Sequence, residues 1–584
     1  MEITGWVATL PRPPVLSLLL WLASLQLVFA SPWKTGRSLG IANTDFIANE
    51  QMAGESNLHH SATVPNPKTL YPAHNISVPV NHFPISPRYA PHTDAHFDLR
   101  YWYDASYYKP GGPVIVLHGG ETDGEKRLEY LQKGIVAILA QATNGLGVVL
   151  EHRYYGKSVV TEDLSAKNLR FLTTEQAMAD SAYFAQNVVF EGVDGKDLDL
   201  RVGKGGKDQA PWIIYGGSYA GAQVSFLRVE YPDLFWGAIS SSGVTKAIYD
   251  FWEYFEPVRK YGPPDCMSTT QKLVHIVDNI ILGLNNAETT KKLKSLFGLG
   301  DLTHNDDFGF ILTVGPSFWQ SVNWDPAVST PEFDYYCANV TSDELLHGNE
   351  EAREQAREIV VAGGYDKEAD ALTNRLLNLA GYVFVSLVVK CEGLNITLDE
   401  CLGSHDSAWY TKDDLSQTNR LWAYQVCTEW GYFQVGSTVP KDQLPVVSRL
   451  VDIEFASMMC RKAFGISEQP DVERVNKYGG FDIEYERLAF VDGEVDPWRP
   501  ATPHAESARP RKSTLDKPFI LIEGAGHHWD ENGLFPNETT PTLPPPPVAE
   551  AQKQEVEFVK KWVKDWHENR QKGQTRKQLT LVSP

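Results

Sequence analysis

The strongest constraint on the fold is a series of short apolar runs with no polar alternation, each opening into a loop that carries reactive side chains. Pro113-Val114-Ile115-Val116-Leu117 leads into His118-Gly119-Gly120-Glu121, and Gly147-Val148-Val149-Leu150 leads into Glu151-His152-Arg153. Trp212-Ile213-Ile214-Tyr215 leads into Gly216-Gly217-Ser218, and Gly237-Ala238-Ile239-Ser240 follows a helix-like stretch after that serine. The texture returns at Leu488-Ala489-Phe490-Val491 and Pro518-Phe519-Ile520-Leu521-Ile522. A strand that is apolar on both faces must be covered on both faces. Such strands alternating with helical patterns therefore predict a parallel sheet between two helical layers.

Between the two groups of strands the pattern changes. Leu273, Val277, Ile280, Ile281 and Leu284 fall on one helical face, and residues 349–364 and 367–390 also read as amphipathic helices. All six cysteines, Cys266, Cys337, Cys391, Cys401, Cys427 and Cys460, lie in this region, and the sequence does not choose among their pairings. No C-x-x-C spacing occurs, so no metal site is expected. The division that follows is a signal peptide over 1–30, an N-terminal extension over 31–75, and a first core segment over 76–254. A helical cap insertion then spans 255–480, a second core segment 481–570, and a basic disordered tail 571–584.

The apolar stretch from Val15 through Leu22 to Ala30 follows Arg12 and ends on small residues before Ser31, the layout of a secretory leader. At about 16 residues it is short for a membrane span. A secreted, extracellular protein with no membrane association after leader removal is expected. Four acceptor sequons, at Asn75, Asn339, Asn395 and Asn537, agree with that route. The formal charge of −21 argues against a nucleic-acid partner, which would need clustered Lys and Arg.

The Gly216-Gly217-Ser218-Tyr219-Ala220-Gly221 corner has the small neighbours that a strained strand-to-helix turn requires, although Ala220 stands where G-x-S-x-G has its last glycine. A serine hydroxyl becomes nucleophilic when a histidine takes its proton and a carboxylate orients the histidine. Asp496 and His527 lie in the loops after the last two strands, and the order Ser218, Asp496, His527 is that of the α/β-hydrolases. The oxyanion donors are expected from the Tyr219 amide and from Gly119 or Gly120. The fold class expected is α/β, an α/β-hydrolase with a large helical, cysteine-containing cap insertion and no cofactor.

Several spaced motifs sharpen this. They are Glu151-His152-Arg153-Tyr154-Tyr155-Gly156-Lys157-Ser158, Leu172-Thr173-Thr174-Glu175-Gln176-Ala177 to Asp180, Gly216-Gly217-Ser218-Tyr219, Tyr424-Gln425-Val426-Cys427-Thr428-Glu429, Asp496-Pro497-Trp498 and His527-His528. In order and spacing they resemble the Pro-Xaa carboxypeptidase and dipeptidyl peptidase II family of serine peptidases, over about residues 76–570, and most of all its secreted fungal members. The resemblance implies Ser218 as nucleophile, Asp496 as orienter, His527 as base, and peptide or protein substrates cleaved next to proline. Carboxypeptidase action is the leading expectation. Dipeptidyl peptidase or prolyl endopeptidase action, an ordinary serine carboxypeptidase, and a non-catalytic hydrolase-fold binder are the alternatives. Two departures stand out: Asp492 replaces an asparagine common before Gly493, and Trp529-Asp530-Glu531 replaces Leu-Asp-Leu after the histidine pair.

Overall fold

The computed structural model describes residues 65–203, 209–392, 394, 396–406 and 408–581, with 573–581 as backbone alone. The expected signal peptide and Asn395 lie outside the described residues. Eight strands form the central sheet: β1 His74–Pro79, β2 His96–Asp104, β3 Val114–His118, β4 Leu146–Leu150, β5 Trp212–Gly217, β6 Gly237–Ser241, β7 Leu488–Gly493 and β8 Phe519–Ile522. Their spatial order is β1-β2-β4-β3-β5-β6-β7-β8. The β1/β2 and β2/β4 pairs are antiparallel and the remaining pairs parallel. This is the α/β-hydrolase arrangement.

The apolar runs are buried on both faces, as their composition requires. Along β3, Val114 and Val116 enter one core while Ile115 and Leu117 enter the other, the two-residue alternation of a pleated strand. Helices α1 (Ile135–Thr143), α2 (Thr174–Asn187) and α3 (Ser218–Glu230) follow β3, β4 and β5. Strand β8 differs from its neighbours: it is the sheet edge, and Leu521 is 39% exposed there. Pro518 directly before it cannot donate a ladder hydrogen bond, which blunts the edge against pairing with another chain.

The chain between β6 and β7 is mainly helical. It includes α4 (Pro264–Asp278), α5 (Asn305–Ile311), α6 (Glu332–Thr341), α7 (Glu350–Ala362), α8 (Ala369–Val383) and α9 (Asn419–Gln425), with a short parallel pair between Ile248–Asp250 and Gly431–Phe433. Leu273, Val277, Ile280 and Ile281 are buried as their spacing predicts, but Leu284, at the end of the helical run, is 52% exposed. The run Asp366–Glu392 has the length and hydropathy of a membrane span, yet 56% of its most apolar window is packed inside the protein. The six cysteines form three disulfides, Cys266–Cys337, Cys391–Cys401 and Cys427–Cys460.

A last helix, α10 (Pro546–Leu581), buries Phe558, Val559 and Trp562 against the sheet face that carries Ile213 and Ile239. It runs to Leu581, over most of the stretch 571–584 read from sequence as a disordered tail. The physical reason is propensity: Gln, Lys, Arg and Leu favour a helix, and Gly573 alone does not stop one already nucleated.

Candidate active site

The turn from β5 to α3 holds Ser218 at φ 57°, in the left-handed region that non-glycine residues rarely adopt. The helix folds back over its own strand so closely that a Cβ on Gly216 would lie 2.5 Å from the Ala220 carbonyl oxygen. A Cβ on Gly217 would meet the Glu531 carboxylate at 2.3 Å. The missing glycine at position 220 costs nothing here, because the close approach falls on Gly221, packed against Gly243, and not on Ala220. Ser218 is half-buried and heads a helix whose next ten residues are buried.

Asp496 and His527 are brought into contact. His527 Nδ1 lies 3.0 and 2.9 Å from the two carboxylate oxygens of Asp496, which is fully buried and also accepts the Trp498 N–H at 2.8 Å. Burial alone would raise the Asp496 carboxyl. The charge and hydrogen bond of His527, with the Ser242 hydroxyl and the Trp498 amide, outweigh it and hold the group below the usual aspartate range. Serine, aspartate and histidine therefore share the carboxyl edge of the sheet, where β5, β7 and β8 end. The loop after β6 ties them together: the Val244 N–H reaches the Ser218 carbonyl at 3.4 Å, and the Ser242 hydroxyl accepts the His528 N–H at 2.9 Å. The hydrogen bonds of the His527 ring run to Asp496, and none joins it to Ser218 Oγ.

The two glycines nominated as oxyanion donors separate. The Gly119 N–H is committed to the Leu150 carbonyl at 2.7 Å, an extension of the β3/β4 ladder, so Gly119 is withdrawn as a donor. Gly120, at φ 69°, packs beside Ala220, and its N–H faces His118 Nδ1 at 3.3 Å. Burial pushes His118 down to about 3 and His152 to about 4, so both rings are neutral acceptors or donors near the turn. His152 Nε2 lies 3.0 Å from the Tyr219 hydroxyl, which also accepts from the Gln223 side chain. The Tyr219 N–H belongs to the first turn of α3, where no intrahelical carbonyl is available to it.

Other motif residues build the frame. Arg153 clamps Asp180 through two contacts of 2.6 Å, and Glu151 receives Arg100, Ser158 and the Gly124 amide. Glu429 accepts both the Thr174 N–H and its hydroxyl at 2.9 Å and also pairs with Arg88, joining the inserted region to the start of α2. Three aromatics stand near these groups: Trp498 faces the His527 ring at 6.4 Å, Trp430 is fully buried against Tyr219, and Tyr424 packs on Phe464.

Sequence reasoning missed a buried acid cluster behind this edge. His528 Nδ1 pairs with Glu531 at 3.2 Å. Burial would lower the His528 ring, but the adjacent Glu531 charge raises it above the ordinary histidine value. Asp530 accepts from the Ser241 hydroxyl at 2.6 Å and from the Tyr215 hydroxyl, and burial with the nearby Glu531 pushes its carboxyl up to about 7. Glu555 of α10 is fully buried with neither carboxyl oxygen hydrogen-bonded. The sole sequence signal was the departure at Trp529-Asp530-Glu531. Of the sequons, Asn75 and Asn537 are exposed, while the Asn339 side chain donates to the Tyr335 carbonyl and meets His347.

The chain is similar to known proteins over most of its length. The family model for serine carboxypeptidase S28 matches residues 88–543. A probable extracellular serine carboxypeptidase of Arthroderma benhamiae is 55% identical over 495 residues, covering 85% of this chain and 68% of that one. The serine protease vicPa of Bipolaris victoriae is 28% identical over 82% of this chain and 88% of its own. The human thymus-specific serine protease is 26% identical over 69% of this chain and 73% of its own.

Proposed function

The chain belongs to the serine carboxypeptidase S28 family, and from that premise we propose that it is a secreted carboxypeptidase that removes the residue following a penultimate proline. The observation that carries the reading is the 2.9 Å Asp496–His527 contact at the sheet edge that also bears the left-handed Ser218. Asp496, ionised and buried, fixes the Nδ1–H tautomer of His527 and leaves Nε2 to act as base. With substrate bound, His527 takes the Ser218 proton as Oγ attacks the scissile carbonyl. The tetrahedral oxyanion is held by the Tyr219 and Gly120 amides, the latter turning from His118 to the substrate. His527 then protonates the leaving amine, and water admitted to the acyl-enzyme regenerates Ser218 by the same steps in reverse. Secretion is supported by the extracellular designation of the 55%-identical relative, and three disulfides suit an oxidising compartment.

Two experiments test this. A fluorophosphonate probe should label Ser218 in the folded protein and fail on Ser218→Ala; absence of any adduct on the folded wild type refutes the hydrolase mechanism. A proline-containing peptide blocked at its N-terminus should be cut and its C-terminally blocked isomer spared. Cleavage of the second alone assigns dipeptidyl peptidase action instead, and cleavage of peptides blocked at both ends assigns endopeptidase action.

A further inference from the structure

We propose that His304, Asp306 and His405 form a binding site for a divalent transition-metal ion of the Zn2+ type, in the region between β6 and β7 and independent of the hydrolase reading. Each offers one ligand atom, and these atoms all lie within 4.8 Å of one another. Two imidazoles and one carboxylate are nitrogen and oxygen donors suited to Zn2+, Cu2+ or Ni2+, and unsuited to Ca2+ or Mg2+, which take oxygen ligands. The other histidine–carboxylate contacts, such as His82–Asp180, His504–Asp492 and His527–Asp496, gather no comparable third ligand among the described residues.

The backbone around the three side chains is held from several directions. His304 is the N-cap residue of α5 and Asp306 lies in its first turn, so their spacing is set by the helix start. Buried Asp307 accepts the Ser404 N–H at 2.8 Å, which fixes the loop carrying His405 to that same helix. Lys462 Nζ donates to the His405 carbonyl at 2.6 Å, and Lys294 Nζ reaches the carbonyls of Leu302 at 2.8 Å and His304 at 3.4 Å. The Cys391–Cys401 disulfide anchors the chain just before His405. The ligands are thus placed by pinned backbone, and only their outer torsions need to adjust.

Without an ion, His405 Nε2 lies 3.0 and 3.1 Å from the two Asp306 oxygens, and the His304 ring stacks on His405 at 3.6 Å with planes 9° apart. Imidazole lone pairs lie in the ring plane, so two nearly parallel planes 3.6 Å apart do not bring them to one point. Coordination therefore requires each imidazole to turn about its ring torsion so that the lone pairs converge, while Asp306 exchanges the His405 N–H for the metal. Donor separations, all within 4.8 Å, settle to about 3.3 Å around an ion with bonds of about 2.0 Å. All three residues are half-buried, so the fourth position of a tetrahedral ion faces solvent and is filled by water. The bound ion ties the start of α5 to the loop that follows Cys401.

The test uses the full secreted chain, stripped with a chelator and titrated calorimetrically with ZnCl2. We expect one Zn2+ per chain and a rise in the thermal midpoint, no response to MgCl2, and with Co2+ the visible d–d absorption of a tetrahedral nitrogen–oxygen site. His304→Gln with His405→Gln should abolish measurable Zn2+ binding, and Asp306→Asn should weaken it. Peptidase activity of the stripped protein should equal that of the untreated one. Folded wild type that binds no Zn2+, or a folded double variant that binds it with unchanged affinity, overturns the proposal. Should the double variant lose its near-ultraviolet dichroism, His304→Gln alone decides, since that ring meets His405 by stacking and its removal leaves the Asp306–His405 pair in place.

Discussion

Asp530→Asn gives a direct test of the buried acid cluster. Asp530 is 1% exposed and shares its surroundings with Glu531 and the unpartnered Glu555. Burial, reinforced by Glu531, raises its carboxyl from 3.8 to about 7 despite the bonds from Ser241 and Tyr215. Below pH 3.8 the folded and unfolded chains are both protonated at this site and no penalty exists. Between 3.8 and about 7 the unfolded chain releases the proton that the folded chain keeps. The folded state then binds more protons, so stability falls as pH rises, and the loss levels off above about 7. The full displacement corresponds to about 4 kcal/mol, and relaxation around neighbouring acids brings the expected loss to about 2–4 kcal/mol. Asparagine cannot ionise and retains an acceptor for Tyr215 or Ser241. Urea unfolding of wild type and variant at about pH 4 and about pH 8 should show the variant gaining about 2–4 kcal/mol relative to wild type between the two. Parallel pH profiles for the two proteins would refute the reasoning, because the decline would then arise elsewhere.

Three further outcomes follow from the site. Asp496→Asn should cut kcat by about 10⁴ with KM little changed, since the orientation of His527 is lost and not the cleft; a drop under about tenfold in steady-state assays would remove Asp496 from the mechanism. Glu531→Gln should destabilise most at about pH 5–6. His528, raised by Glu531, contributes fully below 6.5 and loses its contribution as pH rises through its folded value; Glu531, lowered by His528 against its burial, contributes above 4.5 and loses it in stronger acid. A thermal midpoint unchanged across that interval would dismiss the pair. Gly216→Ala drives a Cβ to 2.5 Å from the Ala220 carbonyl and should open the turn, lowering stability by about 1–3 kcal/mol and suppressing fluorophosphonate labelling of Ser218. Normal labelling of the variant would mean that the close approach is dispensable.

Much of the sheet was legible because burial on both faces leaves an unmistakable record: runs such as 113–117 and 488–491 admit no solvent-facing residue. The same logic located the loops bearing Ser218, Asp496 and His527. What the sequence withheld depends on register and on distant partners. Gly119 and Gly120 are chemically alike, and only the pairing of β3 with β4 decides that the first amide is spent on Leu150. Strand β8 reads as an interior strand by composition, yet its place at the sheet edge is a fact of topology. Asp530 and Glu555 lie on different elements, so neither carries a local sign that it faces another acid. The disulfide partners are separated by 71, 10 and 33 residues, with no spacing rule that selects them. The helix running to Leu581 was missed because a charged composition describes a solvated helix as well as a coil.

Strands β6 and β7 are parallel neighbours, with Ala238 opposite Leu488 and Ser241 opposite Val491, so the long stretch from Ser242 to Arg487 leaves the sheet at its carboxyl edge and re-enters at the opposite edge. Closing a loop costs little more as it lengthens, because the entropy grows only with the logarithm of its length. The junction therefore tolerates changes of length in the segment hung upon it, while the Ser242–Val244 loop and the Glu429 clamp on α2 mark the parts that the core still needs. A replacement segment long enough to make that crossover, and keeping the Ser242–Val244 loop that holds Ser218 and His528, should leave a foldable sheet with its corner serine intact, which makes this junction the natural place to graft a different roof and so to change which molecules are admitted.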